Sequence, residues 1–412
     1  MSRKFIIKES TRKRCRIIKI EGSTLASYRP ISLDLFAYLW EVKTIDFNIF
    51  LKVENELLEY IKASELSIEL LQHVWLASLK EDAGVDVYVA RKDYPKFEHT
   101  LDFVRKKKIA RLVEQEPSLD RKTLEIFSDM SAASQMVLRG GIDKQVAERV
   151  KAAAAFMVQN LMDSDMAMGT LSRMISIDPS LYDHSASVAM FSTVMARRQF
   201  GEKMPLRDAE VLAQSGLYHD AGKSCVPNAI LNKPGAFTAE EFEVMKGHVH
   251  HGFRELSTAI HAGAPIDPLV AQVAIEHHER FTGKGYPYGK KGRFEENQEQ
   301  GIHPYSRIIS IADAYSALLM KRVYKPALPA EKALELMEKS APDDFDPLIF
   351  EPFVASVKLS LNALRAAREK EKNKGNIYLI DKGDSIAQKI AESRKSEPSK
   401  ASAAVTKPKI GA

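Results

Sequence analysis

The spacing of hydrophobic positions changes along the chain and predicts two kinds of fold. Near the N-terminus, β-branched and aromatic residues cluster or alternate in residues 14–20 and 85–97, as they do in strands. Residues 65–81, between these runs, have apolar positions at helical spacing. We therefore predict a small α/β domain over residues 1–115.

Helical periodicity dominates after this region. Residues 116–177 include a long Ala- and Met-rich amphipathic stretch from 143 to 177, which Gly169 is expected to interrupt. We predict a helical connector here. Its helices either belong to an ordinary core, which is the simpler interpretation, or also form the seam of a homodimer.

Strand patterns almost vanish over residues 178–367, where helical runs alternate with short loops. This predicts an all-α domain, so the fold class is multidomain, with a small α/β domain followed by a helical one. The segment 368–412 is rich in Lys, Ser and Ala and ends in a low-complexity run. It is predicted to be a basic tail, with no stable fold in about its last thirty residues.

Composition narrows the possible environments and ligands. The 412 residues contain no apolar run near the roughly 18 to 20 residues needed to span a membrane, and no signal core follows the basic N-terminus. We therefore expect a cytoplasmic protein without membrane insertion. The two cysteines, Cys15 and Cys225, are too few for a Cys-rich site, so any metal ion must be bound by nitrogen and oxygen atoms.

The net charge of +5 is concentrated at one end of the chain. Residues 365–412 carry 12 Lys and Arg against 6 Asp and Glu, so the rest of the chain is close to neutral. A near-neutral folded part argues against a binding surface for DNA or RNA.

Histidines are concentrated in the predicted helical domain, where nine of the eleven lie between His184 and His303. A single helical histidine is more often a hydrogen-bonded residue than a metal ligand. Asp313 is different, because it lies in the apolar run 308–319, where an unpaired carboxylate would be costly to bury. The candidate metal ligands, in chain order, are His184, His219, Asp220, His248, His277, His278 and Asp313.

The types of these side chains indicate which ions they could bind. Imidazoles and carboxylates without thiolates suit iron, manganese, nickel, cobalt or zinc better than calcium or magnesium. Seven candidates are too many for one ion. Two divalent transition metal ions that share a bridging carboxylate are the simplest arrangement, and such pairs promote phosphoester hydrolysis.

The ordered ligand set, together with GKGYP at residues 283–287, resembles the HD-GYP family, a branch of the HD phosphohydrolases. The similarity extends from about residue 182 to about residue 353 and includes HDAGK at 219–223 and HHERFTGKGYP at 277–287. It implies hydrolysis of the bacterial second messenger cyclic di-GMP to linear pGpG or GMP. It also implies a site with two or three metal ions, of which iron and manganese are the expected ones.

The resemblance assigns roles to individual residues. The seven candidate ligands are implied to hold the metal ions, with Asp220 as the bridge. Lys223 is implied to lie near the scissile phosphate, where a lysine acts as a point charge, while an arginine can bind phosphate with two hydrogen bonds. The residues implied to contact the substrate are Lys223, Gly285, Tyr286, Arg322 and Lys325.

Several positions depart from the family pattern. Thr282 replaces the Asp that usually precedes the first glycine of the loop. Ser180 stands where members with a third metal carry a Glu, which favours a dinuclear site here. Residues 293–301 are an additional polar segment, interpreted as a surface loop or alternatively as a lid. Three other histidines of this region, His250, His251 and His303, are not expected to bind metal.

Two alternatives to a cyclic di-GMP phosphodiesterase stay open. One is a receptor that binds cyclic di-GMP without cutting it, which Thr282 and the additional segment would favour. The other is an HD phosphohydrolase for another cyclic dinucleotide. The seven ligands argue against a pure receptor, and Tyr286 favours a cyclic dinucleotide. Residues 1–115 show no ligand motif and are expected to receive an unknown signal or protein partner.

Overall fold

An antiparallel sheet and a set of packed helices follow one another along the chain in a computed structural model of the protein. The structure describes residues 14–31, 33–78, 86–138, 141–161, 163–181, 183–231, 233, 235–292, 301–320 and 328–395. In the last helix, side chains are described up to residue 373.

The N-terminal sheet has five strands, which are β1 (Arg16–Lys19), β2 (Tyr28–Ile31), β3 (Ile49–Val53), β4 (Glu56–Ile61) and β5 (Asp86–Ala90). Their order in the sheet is β1-β4-β3-β5-β2, and all neighbouring strands are antiparallel. In the central strand β3, Leu51 pairs with Leu58 of β4 and with Val87 of β5, and all three side chains are buried. Cross-strand apolar contacts of this kind stabilise a sheet.

The predicted combination of strands and helices at this end of the chain is confirmed. Helices α1 (Leu33–Phe36) and α2 (Ile68–Ser78) contribute to the core of the sheet domain. The strand expected over residues 85–97 is correct only up to Ala90, because helix α3 begins at Tyr94. Pro95 lies in the first turn of α3, where a proline loses no intrahelical hydrogen bond.

The rest of the described chain is helical, as predicted. The helices are α3 (Tyr94–Gln115), α4 (Arg121–Leu138), α5 (Lys144–Leu161), α6 (Ala167–Ile177), α7 (His184–Phe200), α8 (Leu206–Tyr218), α9 (Asn228–Leu231), α10 (Ala239–Lys246), α11 (His248–His261), α12 (Pro268–Glu276), α13 (Pro304–Leu319), α14 (Ala330–Asp344) and α15 (Pro347–Lys395).

Helix α3 joins two hydrophobic cores. Its first half, including Phe97 and Val104, packs into the core of the sheet domain. Its second half, including Ile109 and Leu112, belongs to a larger core that extends to Leu364. Helices α4, α5 and α6 all contribute buried residues to this larger core. The domain boundaries and the homodimer seam stay predictions.

Two expectations from the sequence are wrong. Gly169 does not interrupt a helix but lies inside α6, where a Cβ would come within 2.7 Å of the backbone oxygen of Ser360 in α15. This glycine lets two helices approach closely. In the predicted tail, α15 continues to Lys395, since its many Lys, Glu and Ala residues favour a helix. Residues 396–412 lie outside the described part, and residues from Arg365 onward form a separate unit.

One described segment, Pro347–Asn373, is long and apolar enough to cross a membrane, but 50% of its apolar window is buried inside the protein. Core helices of globular proteins pass the same test. The segment is therefore weak evidence for a membrane span.

Candidate metal centre

The seven candidate ligands converge at one place in the helical domain, although they come from separate parts of the chain. Several stand at helix ends, where the backbone turns the side chain inward. His184 opens α7, His248 opens α11, and His219 and His277 directly follow α8 and α12. Asp313 lies inside α13, on a helix that is otherwise largely buried.

The ligands form two groups, each with ligand atoms within 4.8 Å of one another. Each group contains histidine nitrogens and one carboxylate, which is a donor set for a transition metal ion. The first group is His184, His219 and Asp313, and the second group is Asp220, His248, His277 and His278.

Asp220 lies between the two groups and faces each with a different oxygen. Its Oδ2 atom lies 3.6 Å from Nε2 of His184 and 3.3 Å from Nε2 of His219. Its Oδ1 atom lies 3.4 Å from Nε2 of His248 and 3.8 Å from Nε2 of His277. A carboxylate in this position can bind one ion with each oxygen.

Hydrogen bonds on the far side of the rings determine which nitrogen faces the site. Three imidazoles each donate from Nδ1 to a backbone carbonyl three residues earlier, so their Nε2 atoms carry lone pairs toward the centre. The donor and acceptor pairs are His219 with Gly216 at 2.8 Å, His248 with Met245 at 2.7 Å, and His277 with Ala274 at 3.0 Å.

Several atoms that face the centre are acceptors without a donor among the described residues. Nε2 of His248 and Nε2 of His277 lie 3.5 Å apart, and both carry lone pairs because both Nδ1 atoms donate elsewhere. Among the described residues, Nε2 of His219 and Oδ1 of Asp220 are buried without a hydrogen-bond partner. Buried acceptors that face each other are costly unless a cation lies between them. The residues present therefore fit a metal centre.

The electrostatic environment keeps most of these groups in the protonation state that binds metal. Burial lowers the pKa of His248 and of His277, and lowers the pKa of His278 to about 3. Burial opposes ionisation of Asp220, but the charges of Lys223 and His219 outweigh it and hold the pKa of Asp220 well below its usual range. Metal ions bind neutral imidazoles and ionised carboxylates.

His219 and Asp313 show the same competition between burial and charge. Burial lowers the pKa of His219, but the neighbouring Asp220 carboxylate raises it by more. Burial also opposes ionisation of Asp313, and a hydrogen bond with His184 outweighs it and lowers the pKa of this carboxyl. Bound cations would replace these proton-dependent contacts.

Helix α13 carries two residues, Asp313 and Ser316, that lie next to the ring of His184. Oδ1 of Asp313 lies 3.0 Å from Nε2 of His184, and Oδ2 lies 4.0 Å from Nδ1 of His278. One turn later in the same helix, the hydroxyl of Ser316 lies 3.2 Å from Nδ1 of His184. The sequence expectation that Asp313 needs a partner for its charge agrees with these contacts.

Of the residues expected to contact the substrate, the structure describes Lys223, Gly285 and Tyr286. Nζ of Lys223 lies 2.5 Å from Oδ2 of Asp220. The ring of Tyr286 stacks on His278, with centroids 4.8 Å apart and an interplanar angle of 29°. Arg322 and Lys325 lie outside the described residues, as does most of the additional segment 293–301.

Gly285 is needed by the chain itself. A Cβ at this position would lie 2.3 Å from the backbone nitrogen of Arg280 and 2.5 Å from the backbone oxygen of His278. The backbone nitrogen of Tyr286 donates to the same oxygen of His278 at 3.2 Å. The glycine thus brings the loop close to the ligand histidines and positions the Tyr286 ring.

Two of the departures from the family pattern have structural partners. The hydroxyl of Thr282 donates to the backbone oxygen of Asp343 at 2.8 Å, which anchors the loop to the end of α14. The hydroxyl of Ser180 accepts a hydrogen bond from Lys108 at 2.6 Å, so this position faces the N-terminal part of the protein.

Two buried glutamates received no role from the sequence, although they flank the His277–His278 pair. Glu279 accepts hydrogen bonds from the backbone amides of Tyr288 at 2.7 Å and Lys290 at 2.9 Å, and so holds the loop after Tyr286. Glu276 pairs with the side chain of Lys290 at 2.7 Å. The sequence does contain one signal that could have identified them, which is their position beside two histidines at the end of an apolar helix.

Comparisons with known proteins agree with this geometry. Residues 169–349 match the family model of the HD domain. A cyclic di-GMP phosphodiesterase of Thermotoga maritima is 35% identical over 170 residues, which are 41% of this chain and 44% of the relative. A 3'3'-cGAMP-specific phosphodiesterase 3 of Vibrio cholerae is 34% identical over 188 residues, which are 45% of this chain and 36% of the relative.

The chain spans less than half the length of both curated relatives. Among solved structures, a HDG"Y"P protein from Bdellovibrio bacteriovorus aligns with a TM-score of 0.50 and 17% identity, over 83% of this chain and 100% of that chain. That similarity concerns the fold alone. Residues 169–349, which contain all seven candidate ligands, match the HD domain, and the related phosphodiesterases support the resemblance of the ordered ligand set to the HD-GYP branch.

Proposed function

We propose that this protein is a metal-dependent phosphodiesterase that hydrolyses cyclic di-GMP to linear pGpG or GMP. The observation that carries the proposal is the position of Asp220, whose two oxygens face two separate groups of histidines. Two adjacent ions with a shared carboxylate are suited to the displacement of a phosphoester oxygen. The name of the Thermotoga maritima relative supports cyclic di-GMP as the substrate.

The proposed ligands divide between two divalent transition metal ions, for which iron and manganese are our candidates. Oδ2 of Asp220 would join the first group, and Oδ1 would join the second group. When bound, such ions lower the pKa of a water molecule and neutralise negative charge on phosphoryl oxygens.

The other proposed roles belong to the side chains around the ligands. Lys223 would stabilise phosphate charge, since its ammonium group lies next to Asp220 at the centre of the site. Tyr286 would stack with a base of the substrate, because its ring already lies against His278 at the edge of the ligand cluster. Arg322 and Lys325 are proposed to bind the nucleotide and its phosphates.

A second substrate is a specific alternative. The Vibrio cholerae relative named a 3'3'-cGAMP-specific phosphodiesterase is 34% identical, close to the identity with the Thermotoga maritima relative. Both dinucleotides offer two phosphodiester bonds and at least one guanine base. The substrate test therefore needs both compounds.

The test combines turnover, binding and metal content on the same samples. We expect the parent protein to bind two ions and to convert cyclic di-GMP into linear product.

Tyr286→Ala should weaken dinucleotide binding by roughly 5- to 150-fold, the loss expected for one base-stacking contact, with metal content unchanged. Tyr288→Ala is the matched control, because this neighbouring ring is exposed.

Three outcomes would contradict the proposal. A metal-loaded parent that binds cyclic di-GMP without releasing product would be a receptor. Turnover of 3'3'-cGAMP alone would show that this dinucleotide, and not cyclic di-GMP, is the substrate. Equal affinities of the parent and of Tyr286→Ala for cyclic di-GMP in calorimetric titration would show that Tyr286 does not contribute to binding.

A further inference from the structure

Helix α10 brings an exposed aromatic side chain next to the candidate metal centre. None of its eight residues, all of which the structure describes, is buried, and the Phe242 side chain is 45% exposed. The helix begins at a capping box made by Thr238 and Glu241, and only Gly247 separates its last residue from the candidate ligand His248. Both ends of α10 are therefore held, while none of its side chains is taken up by a core.

The Phe242 ring belongs to a series of ring contacts that starts at a candidate ligand. His278 stacks on Tyr286, with centroids 4.8 Å apart. Tyr286 in turn meets Phe242, with centroids 6.2 Å apart and an interplanar angle of 79°. Two rings that meet nearly at right angles form a corner, in which a flat base can stack on one ring and present its edge to the other.

Lys246 supplies a positive charge at this corner. Its Nζ atom lies 5.4 Å from the centroid of the Phe242 ring and 5.8 Å from that of the Tyr286 ring, within the range of cation–π contacts. Nζ also lies 2.6 Å from a carboxylate oxygen of Glu243 in the same helix. The Glu243 side chain is 69% exposed, and an exposed ion pair of this kind contributes little, so the ammonium group is free to bind another acceptor.

A lysine beside two rings is suited to one purine base. Guanine has two acceptors, O6 and N7, on the same edge, whereas adenine has an amino donor in place of O6. An ammonium group has three donors and no acceptor, so it pairs with O6 and N7 of guanine but not with the amino group of adenine. The corner formed by Phe242, Tyr286 and Lys246 therefore fits guanine better than adenine.

We propose that Phe242 and Lys246 are substrate-binding residues that hold a guanine base of the cyclic dinucleotide together with Tyr286, and that Lys246 selects guanine over adenine. The inference rests on the proposed function, since it places this base next to the phosphate that the metal ions would bind. Phe242 is two ring contacts away from the candidate ligand His278, so the base of a nucleotide bound at the centre lies within reach of the corner.

Steady-state turnover of cyclic di-GMP by the Mn²⁺-loaded full chain tests the stacking role. Phe242→Ala should raise KM by roughly 5- to 150-fold, the loss expected for one base-stacking contact. The value of kcat and the metal content should stay unchanged, because the contact is the same in the ground state and the transition state. Val244→Ala is the matched control and should behave like the parent, since this apolar side chain of the same helix is also 45% exposed.

A comparison of cyclic di-GMP with cyclic di-AMP tests the selection of guanine. We expect the parent to prefer cyclic di-GMP in kcat/KM, and Lys246→Met to reduce this preference by roughly 5- to 150-fold, the value of a side-chain contact to the guanine edge. Lys246→Arg keeps the charge and the donors and should keep the preference. Lys284→Met removes the same charge from the loop, where Lys284 pairs with Asp343, and should also keep it.

Several results would overturn this inference. A parent-like KM in Phe242→Ala, a fall in its metal content, or an equal rise of KM in Val244→Ala would contradict the stacking role. A parent without preference for cyclic di-GMP, or an equal loss of both dinucleotides in Lys246→Met, would contradict the selection of guanine.

The same measurements separate this inference from the proposed function. If the parent binds cyclic di-GMP without releasing product, the proposed hydrolysis is wrong, and calorimetric dissociation constants replace KM in the same comparisons. A metal-loaded parent that binds neither dinucleotide contradicts both proposals. An active parent whose Phe242→Ala and Lys246→Met variants are both unchanged contradicts this inference alone.

Discussion

The two groups of candidate ligands meet at Asp220 but are held by different means. In the second group, His248 and His277 are each 1% exposed, and carbonyls of their own segments fix both rings. In the first group, the side chains of His184 and Asp313 are 21% and 17% exposed, and the His184 ring contacts Ser316 from another helix. His219 is the member of the first group that is fixed locally.

This difference shows that one part of the centre depends on local backbone geometry and the other on tertiary contacts. Local carbonyls move with the ring that they hold, so His248 and His277 should keep their orientation when distant parts of the protein change. The first group requires α7 and α13 to keep their relative position, because His184 lies on α7 and Asp313 lies on α13. We therefore expect the first ion to be the more sensitive of the two to substitutions outside the ligands.

The largest effect should come from Asp220→Ala, because both groups lose their shared carboxylate. We expect loss of both ions and at least about a 100-fold loss of turnover, since removing a residue that only orients a ligand already costs up to that much. Elemental analysis and turnover measure this, with circular dichroism as a check on helix content. A variant that keeps two ions per chain would show that the groups do not need a bridge.

Removing one histidine from each group should separate the two ions. His184→Ala is expected to lose the first ion and keep the second, while His277→Ala should lose the second, so each variant binds one ion. Turnover should fall at least about 10-fold in both, because both ions act on the same phosphate. Loss of both ions in His184→Ala would contradict the independence of the second group.

A smaller effect is expected when only the support of the first group is removed. Ser316→Ala deletes the hydroxyl next to Nδ1 of His184 and should weaken one ion by about 10- to 100-fold. Ser310→Ala is the matched control, because this hydroxyl of the same helix donates to the backbone oxygen of Arg307. Metal titrations that show no difference between the two variants would contradict the distinction between the groups.

The smallest effect should be a change in pH dependence after Lys223→Met. The charge of Lys223 lowers the pKa of Asp220, His219, His248 and His278. Without this charge each pKa rises, so the ligands take up protons earlier as the pH falls, and the ions leave at a higher pH. We expect the midpoint of acid-induced metal release to rise by about one pH unit.

Metal release can be followed with a chelating dye over a pH titration. Lys284→Met is a suitable control, since this loop lysine pairs with Asp343 rather than with Asp220. A midpoint that stays constant or moves to lower pH in Lys223→Met would contradict the effect of its charge on the ligands. A larger shift for the first ion would agree with the contact between Lys223 and Oδ2, the oxygen that faces that group.

Much of the fold follows from local patterns. The strand at Arg16–Lys19, the helix at Ile68–Ser78 and the helical domain were all predicted, because alternation and helical spacing are visible within a few residues. The expectations that failed depend on tertiary contacts or concern the ends of helices and strands. Gly169 reads as a helix breaker until Ser360 is seen to pack against it, and Tyr94 begins a helix where aromatic residues indicated a strand.

The sequence by itself determined the chemistry of the centre: which residues could bind metal, the absence of thiolates among them, and the order that resembles the HD-GYP family. Only the tertiary structure decided how these residues divide into two groups, and that the two oxygens of Asp220 face one group each. The contacts of Ser316 and Glu279 also emerged only from the structure. Residue type sets what an atom can bind, whereas distances between residues far apart in the chain depend on how the helices pack.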